Sequence, residues 1–365
     1  MELPISVLDQ SPIPEGLSGA AALRNSIDLA RLAEELGYRR YWVAEHHGTP
    51  GLASASPEAL IGPIAASTST IRAGSGGVML PHYSPLKVAE TFTALAGIFP
   101  GRIDLGFGRA PGTDPMTTFA LQRDRRDAAP DDFPEQMAEL LGYLNGNLPA
   151  DHPFARLSAT LPGLPERPEP WLLGSSPQSG IWAAELGLPY AFADFINSGG
   201  AEIAAQYRTD SVESALADSI GSSAGAEHSE RPYLAVATWA ICADTEEEAQ
   251  RLAASSRMMM RLLAQGRLIA VPPVEKALRF LASQGSAAAG SRERRRRAII
   301  GDPEQVTAGL EAVAAEYGAD ELMVVTITHD HEARRRSYEL IAEALGLPPA
   351  AAADAAARGA AVGIG

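Results

Sequence analysis

Tyr41-Trp42-Val43-Ala44-Glu45-His46-His47-Gly48 sets an apolar, strand-like run directly against a carboxylate and two imidazoles. A run such as Tyr38 to Val43 suits a strand buried on both faces of a parallel sheet, so the polar groups after it emerge at its carboxyl end. That end carries the active site in barrels and in open α/β sheets. A histidine there can exchange protons near neutral pH, and the adjacent Glu can fix its tautomer or pair with a neighbour. The competing reading is structural: one His caps the strand and the other is solvated.

Working outward, strand-like and helix-like segments alternate almost from end to end, the pattern of βα units with a parallel sheet. Leu3 to Leu8 precedes an amphipathic helix over Gly19 to Leu36, which Gly37 closes. Arg39 to Glu45 is the second strand, and Pro57 opens the next helix at a position that tolerates a missing N–H. Ile71 to Leu80 and Gly101 to Gly108 are the third and fourth strands, with a helix over Pro85 to Ile98 between them. Trp171 to Gly174, Tyr190 to Ile196, Leu234 to Cys242 and Glu321 to Thr328 complete a set of eight. Eight such pairs predict a (β/α)8 barrel of the α/β class, one domain over residues 1–347. Two insertions interrupt it, after strands 4 and 7. The first, about 110–170, holds a helix near Phe133 to Asn145 and a proline-rich stretch that could cover a site; the second is a basic loop at about 284–298. Residues 348–365 are Ala/Gly-rich and are expected to be poorly ordered. An open doubly wound sheet is the runner-up, but it needs a Gly-rich fingerprint after the first strand, where Asp9-Gln-Ser-Pro-Ile-Pro-Glu-Gly16 stands instead.

Composition narrows the function. The 365 residues are 46% hydrophobic and 21% charged, enough for a large core, and the net charge of -15 repels polyanions. No nucleic-acid or membrane partner is therefore expected, and small-molecule chemistry is. Arg294 to Arg297 is a local run that suits a solvated or intersubunit role or an anion clamp. A single cysteine, Cys242, excludes an intramolecular disulfide and a Cys-rich metal site. Without a secretory leader or an apolar span, the chain reads as cytoplasmic.

The residues after successive strands could meet in one cavity: Asp9-Gln10, Glu45-His46-His47, Gly76-Gly77 to His82, Gly108-Arg109, and Gly174-Ser175-Ser176-Pro-Gln-Ser179-Gly180. The last segment opens a helix whose first N–H groups are unpaired, so it suits an anion, with Arg109 as countercharge; a plain N-cap explains the same serines. The glycines Gly74 to Gly77 remove side chains from a strand, which admits a flat ligand or a β-bulge. Glu45, His46 and His47 with Asp9 are a weak metal candidate, because adjacent strand residues point to opposite faces, and no metal site is expected. Met258-Met-Met260 reads as helix packing. No serine-hydrolase elbow or P-loop is present.

Taken together, Leu8-Asp-Gln-Ser-Pro12, Tyr41 to His47, Gly74-Ser-Gly-Gly-Val-Met-Leu-Pro81, Gly101-Arg-Ile-Asp-Leu-Gly-Phe-Gly-Arg109, Gly301-Asp-Pro-Glu-Gln and Tyr317 to Val325 resemble the bacterial luciferase-like flavin-dependent monooxygenases. The likeness covers most of residues 1–345. It implies FMN across the carboxyl face of the barrel, with His46 as the catalytic histidine beside the flavin. It further implies a non-prolyl cis peptide at Gly76 and Gly77, and a phosphate site at Arg109, Ser176 and Ser179, with Gly174 and Ser175 alongside. The implied chemistry is two-component: a separate NAD(P)H:flavin reductase supplies reduced FMN, and dioxygen is used to oxygenate a small organic substrate. A homodimer is expected. Gly108 stands where the luciferase catalytic subunit carries a reactive cysteine, which speaks against light emission. Two alternatives stay open, a deazaflavin-dependent dehydrogenase or reductase of the same superfamily and a non-catalytic flavin-binding protein.

Overall fold

The fold is that of a computed structural model, which describes residues 3–109, 114–121, 132–221, 232–284 and 298–349. The Arg294 to Arg297 run, most of the basic loop, the tail beyond residue 349 and parts of the first insertion lie outside the described residues. Among the described residues nine parallel strands are present: β1 (Ile5–Asp9), β2 (Arg40–Val43), β3 (Arg72–Met79), β4 (Ile103–Gly108), β5 (Glu169–Gly174), β6 (Tyr190–Ala193), β7 (Leu234–Cys242), β8 (Ala298–Gly301) and β9 (Glu321–Val325). The helices are α1 (Gly19–Glu35), α2 (Pro57–Ala66), α3 (Pro85–Ile98), α4 (Pro115–Leu121), α5 (Phe133–Asn145), α6 (Pro177–Glu185), α7 (Ala201–Gly221), α8 (Glu246–Leu263), α9 (Val274–Ser283), α10 (Pro303–Tyr317) and α11 (His331–Leu345).

Strands β1 to β6 pair in chain order, β6 pairs with β7, β7 with β9, and β9 with β1, so eight strands close the predicted (β/α)8 barrel. The ninth, β8, is not among the eight read from the sequence. It pairs only with the carboxyl half of β7, from Trp239 opposite Ala298 to Cys242 opposite Gly301, beyond the point where β9 ends. Four residues entered from a polar loop carry too little periodicity to announce a strand.

Strand alternation divides the side chains cleanly. On β2, Tyr41 and Val43 face the helices while Trp42 and Ala44 face the barrel interior. The interior is built in layers. At the amino end, Arg40 is 2% exposed and its guanidinium donates to Asp104 at 2.8 Å and to Glu321 at 3.2 Å. Above it Trp42 and Trp171 meet edge to face with centroids 5.1 Å apart, an arrangement worth about 0.5–1.5 kcal/mol beyond area burial. Trp42 also donates its indole N–H to Asp104 at 2.8 Å. Toward the carboxyl end the inward positions shrink to Ala44, Ala191, Ala193 and Ala237, and the barrel opens into a cavity.

The glycines Gly74 and Gly76 of β3 make room for the Trp42 indole, and Gly106 of β4 lets the two backbones approach. A Cβ on Gly74 would meet Asp104 and the Trp42 ring, one on Gly76 would meet Leu8 and Trp42, and one on Gly106 would strike the Ser75 carbonyl. The β-bulge considered for this stretch is present, as a register shift between Gly76 and Val78 against β4. Gly106→Ala is expected to cost about 1–3 kcal/mol by overpacking against backbone, and more than Gly76→Ala, whose nearest clash is the movable end of Leu8. Urea midpoints check the order; equal midpoints would refute it.

The proline-rich stretch between residues 149 and 170 does not reach the barrel mouth. Gly163 lies against the Thr93 carbonyl and Gly97 of α3, and the short 3-10 turn Ala155–Thr160 packs on α5.

Candidate active site at the barrel mouth

Two cavities of about 500 Å³ each lie at the carboxyl ends of the strands, a size within the usual range for cofactor sites. They share Gln10, His46, Phe195 and Ile196. The first chamber brings together the residues that the family resemblance implied: His46, Gly76, Gly77 and Arg109 from the ends of β2 to β4, and Gly174, Ser175, Ser176 and Ser179 from the turn between β5 and α6. The peptide bond between Gly76 and Gly77 is cis.

His46 and Glu45 part company at the end of β2. Glu45 is 1% exposed and accepts hydrogen bonds from the Tyr83 hydroxyl at 2.8 Å and the Met79 N–H at 3.0 Å, with His47 Nε2 at 2.7 Å. It therefore anchors His47 and the segment after β3, not His46. His46 keeps its backbone in place by donating to the Ser54 carbonyl at 2.9 Å, while its Nδ1 is buried without a hydrogen-bond partner. Burial, reinforced by the neighbouring His47, pushes its pKa down to about 4, so the ring is neutral at pH 7.

Asp9 takes no part in the mouth. It follows the inward Leu8 and so faces outward, where burial favours its neutral form but Arg334 at 2.6 Å and the Tyr41 hydroxyl at 2.6 Å hold its pKa below the usual carboxylate value. The metal grouping of Asp9 with Glu45 and the two histidines is thus not assembled, and no cluster of three or more His, Cys, Asp or Glu suited to a metal occurs among the described residues.

The start of α6 combines both readings of its serines. Ser176 is the N-cap and forms a capping box with Ser179, whose hydroxyl donates to the Ser176 carbonyl at 2.7 Å and lies 2.8 Å from the Tyr190 hydroxyl. Gly174 is glycine because a Cβ there would collide with the Ser179 side chain. Ser179 thus fixes the turn through its side chain, while Ser175, Ser176, the first N–H groups of α6 and the exposed Arg109 border the cavity. The chamber suits a ligand with a polar, planar head at His46 and an anionic tail at α6. The unpartnered His46 Nδ1 is the feature that most requires an occupant, since a buried polar atom without a hydrogen bond carries a desolvation cost.

The second chamber was only outlined by the sequence. Its wall includes Leu52, Phe195, Trp239, Met259, Ile269 and Ile327. Phe195 and Trp239 stack with rings 13° from parallel and centroids 5.9 Å apart. Of the three methionines read as packing, Met258 is buried among α8 and α9, but Met259 and Met260 line this chamber. The helix pattern carries no sign that Met259, Met260 and Leu263, near the carboxyl end of α8, line a cavity.

Residues 3–321 match the family model of luciferase-like monooxygenases. A luciferase-like monooxygenase of Escherichia coli is 40% identical over 336 residues, 92% of this chain and 95% of its own. The N-acetyl-S-alkylcysteine monooxygenase of Bacillus subtilis is 36% identical over 341 residues, 93% of this chain and 98% of its own. The crystal structure of apo-MsnO8 is 41% identical, covers 95% of this chain and 99% of its own, and superposes with a TM-score of 0.82. The fold alone is shared with an FMN complex of 3,6-diketocamphane monooxygenase (19% identity, TM-score 0.67) and an F420-dependent secondary alcohol dehydrogenase (14%, 0.61).

Proposed function

The chain belongs to the luciferase-like monooxygenase family, and from that premise we propose that it is a two-component monooxygenase using reduced FMN and dioxygen to oxygenate a small organic substrate. The observation that carries the reading is the convergence of His46, Gly76–Gly77 and the Arg109–α6 corner on one chamber. Bound in its reduced form, FMN supplies the electrons that activate dioxygen. The protein's own tasks are narrower. The first turn of α6, Ser175, Ser176 and Arg109 would hold the phosphate, and Gly76 and Gly77, which carry no side chains, would leave room for the ring. Neutral His46 holds or moves a proton at Nδ1. Trp42 and Leu8 form the floor, and the second chamber, across His46 and Gln10, positions the substrate while its apolar wall excludes water.

The same reading includes a separate NAD(P)H:flavin reductase, a homodimer and a cytoplasmic location, all supported by the family resemblance. Among the described residues no helix is long and apolar enough to cross a membrane. The relatives at 36% and 40% identity are named monooxygenases, not dehydrogenases, and this supports the oxygenating reading with FMN over a deazaflavin dehydrogenase; the FMN and F420 neighbours both share the fold alone. Titration of the purified protein with FMN, riboflavin and F420, followed by flavin fluorescence, is expected to show FMN tightest. Arg109→Ala should weaken FMN about tenfold and leave riboflavin unchanged, the loss of one charge-assisted contact to phosphate. Failure to bind FMN in either oxidation state would sink the assignment. N-acetyl-S-alkylcysteines are the first substrates to try with a reductase supplied, because a 36% identical relative is named for them.

A further inference from the structure

The second chamber has chemistry that the monooxygenase reading leaves unused. Its wall is predominantly apolar, with Trp239, Met259, Leu268 and Ile327 on different sides, so the body of an occupant is hydrocarbon or thioether in character. Its polar groups sit at the two ends. At the outer end Arg267 lines the chamber and is exposed, and its guanidinium makes no hydrogen bond or ion pair with any described residue. Among the described residues that line the chamber the one carboxylate, Asp114, is already committed to the N–H groups of Met116 and Thr117 at 2.9 and 3.1 Å and to the Thr117 hydroxyl at 2.6 Å. His47 is held by Glu45.

Arg267 also stands on a fixed piece of wall. Its N–H donates to the Leu262 carbonyl at 2.9 Å, which turns the chain after α8. Four residues later the Val271 N–H donates to Ile13 and the Val271 carbonyl accepts from Glu15, both at 2.8 Å, which ties the segment to the loop after β1. At the inner end Gln10 is 7% exposed, lines both chambers and makes no side-chain hydrogen bond with the described residues. A carboxamide facing the cavity can both donate to and accept from an occupant.

We propose that the second chamber binds an apolar organic anion, with its charge on Arg267 and its opposite end at the Gln10–His46 junction; the inference rests on the monooxygenase reading only for calling this occupant the substrate. The anion and the chain's net charge of -15 are compatible because the contact is local, not a long-range attraction.

The test uses the full chain saturated with FMN and calorimetric titration with decanoate, decanol, decylamine and ω-hydroxydecanoate. Decanoate should bind more tightly than decanol, and decylamine more weakly than both. Arg267→Ala, on the exposed rim, should weaken decanoate about tenfold and leave decanol unchanged. Gln10→Leu should remove the advantage of ω-hydroxydecanoate over decanoate while keeping the dependence on Arg267. Equal binding of decanol and decanoate, or equal weakening of both by Arg267→Ala, overturns the proposal. Should FMN fail to bind while decanoate still depends on Arg267, the cofactor assignment falls and the anion site stands. With FMN bound and decanoate not, the anion site falls alone.

Discussion

Arg40→Met should destabilise the protein by about 3–5 kcal/mol, the cost of breaking a buried ion pair from one side. Arg40 lies on β2 at the amino end of the barrel, 2% exposed, between Asp104 and Glu321, both 0% exposed. Its guanidinium donates to one carboxylate at 2.8 Å and to the other at 3.2 Å and stacks 4.7 Å from the centre of the Trp171 ring. These two carboxylates, buried from water, pull its pKa up despite burial, so it is charged at any working pH. Removing it leaves Asp104 with Arg72 and Trp42, and leaves Glu321 with the hydroxyls of Ser6 and Tyr233 and the distant Arg39 at 3.7 Å. Arg40→Lys should recover only part of the loss, since an ammonium lacks the planar fork that serves two carboxylates and an indole together. Urea denaturation checks both variants, and a loss below about 1 kcal/mol for Arg40→Met would show that the network relaxes or admits water. The effect should reach the mouth as well. Asp104 holds the Trp42 indole, and Trp42 is part of the first chamber's floor, so FMN affinity is expected to fall in step with stability.

This bottom layer was not legible in the sequence, whereas the mouth above it was. Arg40, Asp104 and Glu321 are single charged residues in three strands far apart in the chain, and nothing in any one segment says that they meet. What the sequence does carry is order along the chain. Pro57 and Pro85 open their helices at the first position, Thr245 caps α8 ahead of three glutamates, and β7 runs over the expected Leu234–Cys242. A strand-end rule then places each post-strand residue at one face, which is how His46, Gly76, Gly77, Arg109 and the β5–α6 turn could be gathered before any coordinates. The rule does not give side-chain direction. Asp9 is the last residue of its strand, yet it points outward to Arg334, because its place in the alternation is opposite to that of Leu8. Nor does it give the path of a long connection. The capping pattern Asp302-Pro-Glu-Gln305 was a readable signal for α10, and it forms a capping box as such a pattern should. The return of residues 264–271 over the mouth depends on tertiary hydrogen bonds to Ile13 and Glu15 that no local pattern encodes.

The largest effect on turnover is expected at His46. His46→Ala should slow substrate oxygenation by about 10²–10⁴-fold, the usual contribution of a positioned proton donor or acceptor. FMN affinity should change far less, since the phosphate corner at Arg109 and α6 lies elsewhere in the chamber. A merely structural role would move both together. The pH dependence supplies an independent check whose sign is fixed by the direction of the pKa change. Burial and then His47 lower the His46 pKa from about 6.5 to about 4, so between those values the unfolded chain binds a proton that the folded chain does not. Stability from this group is therefore fully present above pH 6.5, declines as the pH falls toward 4 and changes no further below it, a loss of about 3 kcal/mol. His46→Phe should lack that component, so the difference in urea-unfolding free energy between wild type and variant should shift by about 3 kcal/mol from pH 7 to pH 4. Turnover that needs the neutral ring should keep its acid limb near pH 4 and show no inflection near 6.5 from this residue. Observation of a His46 ring titrating near 6.5 by NMR in the flavin-free protein would contradict both statements, and would mean that the imidazole is hydrated in a mouth more open than its unpartnered Nδ1 indicates.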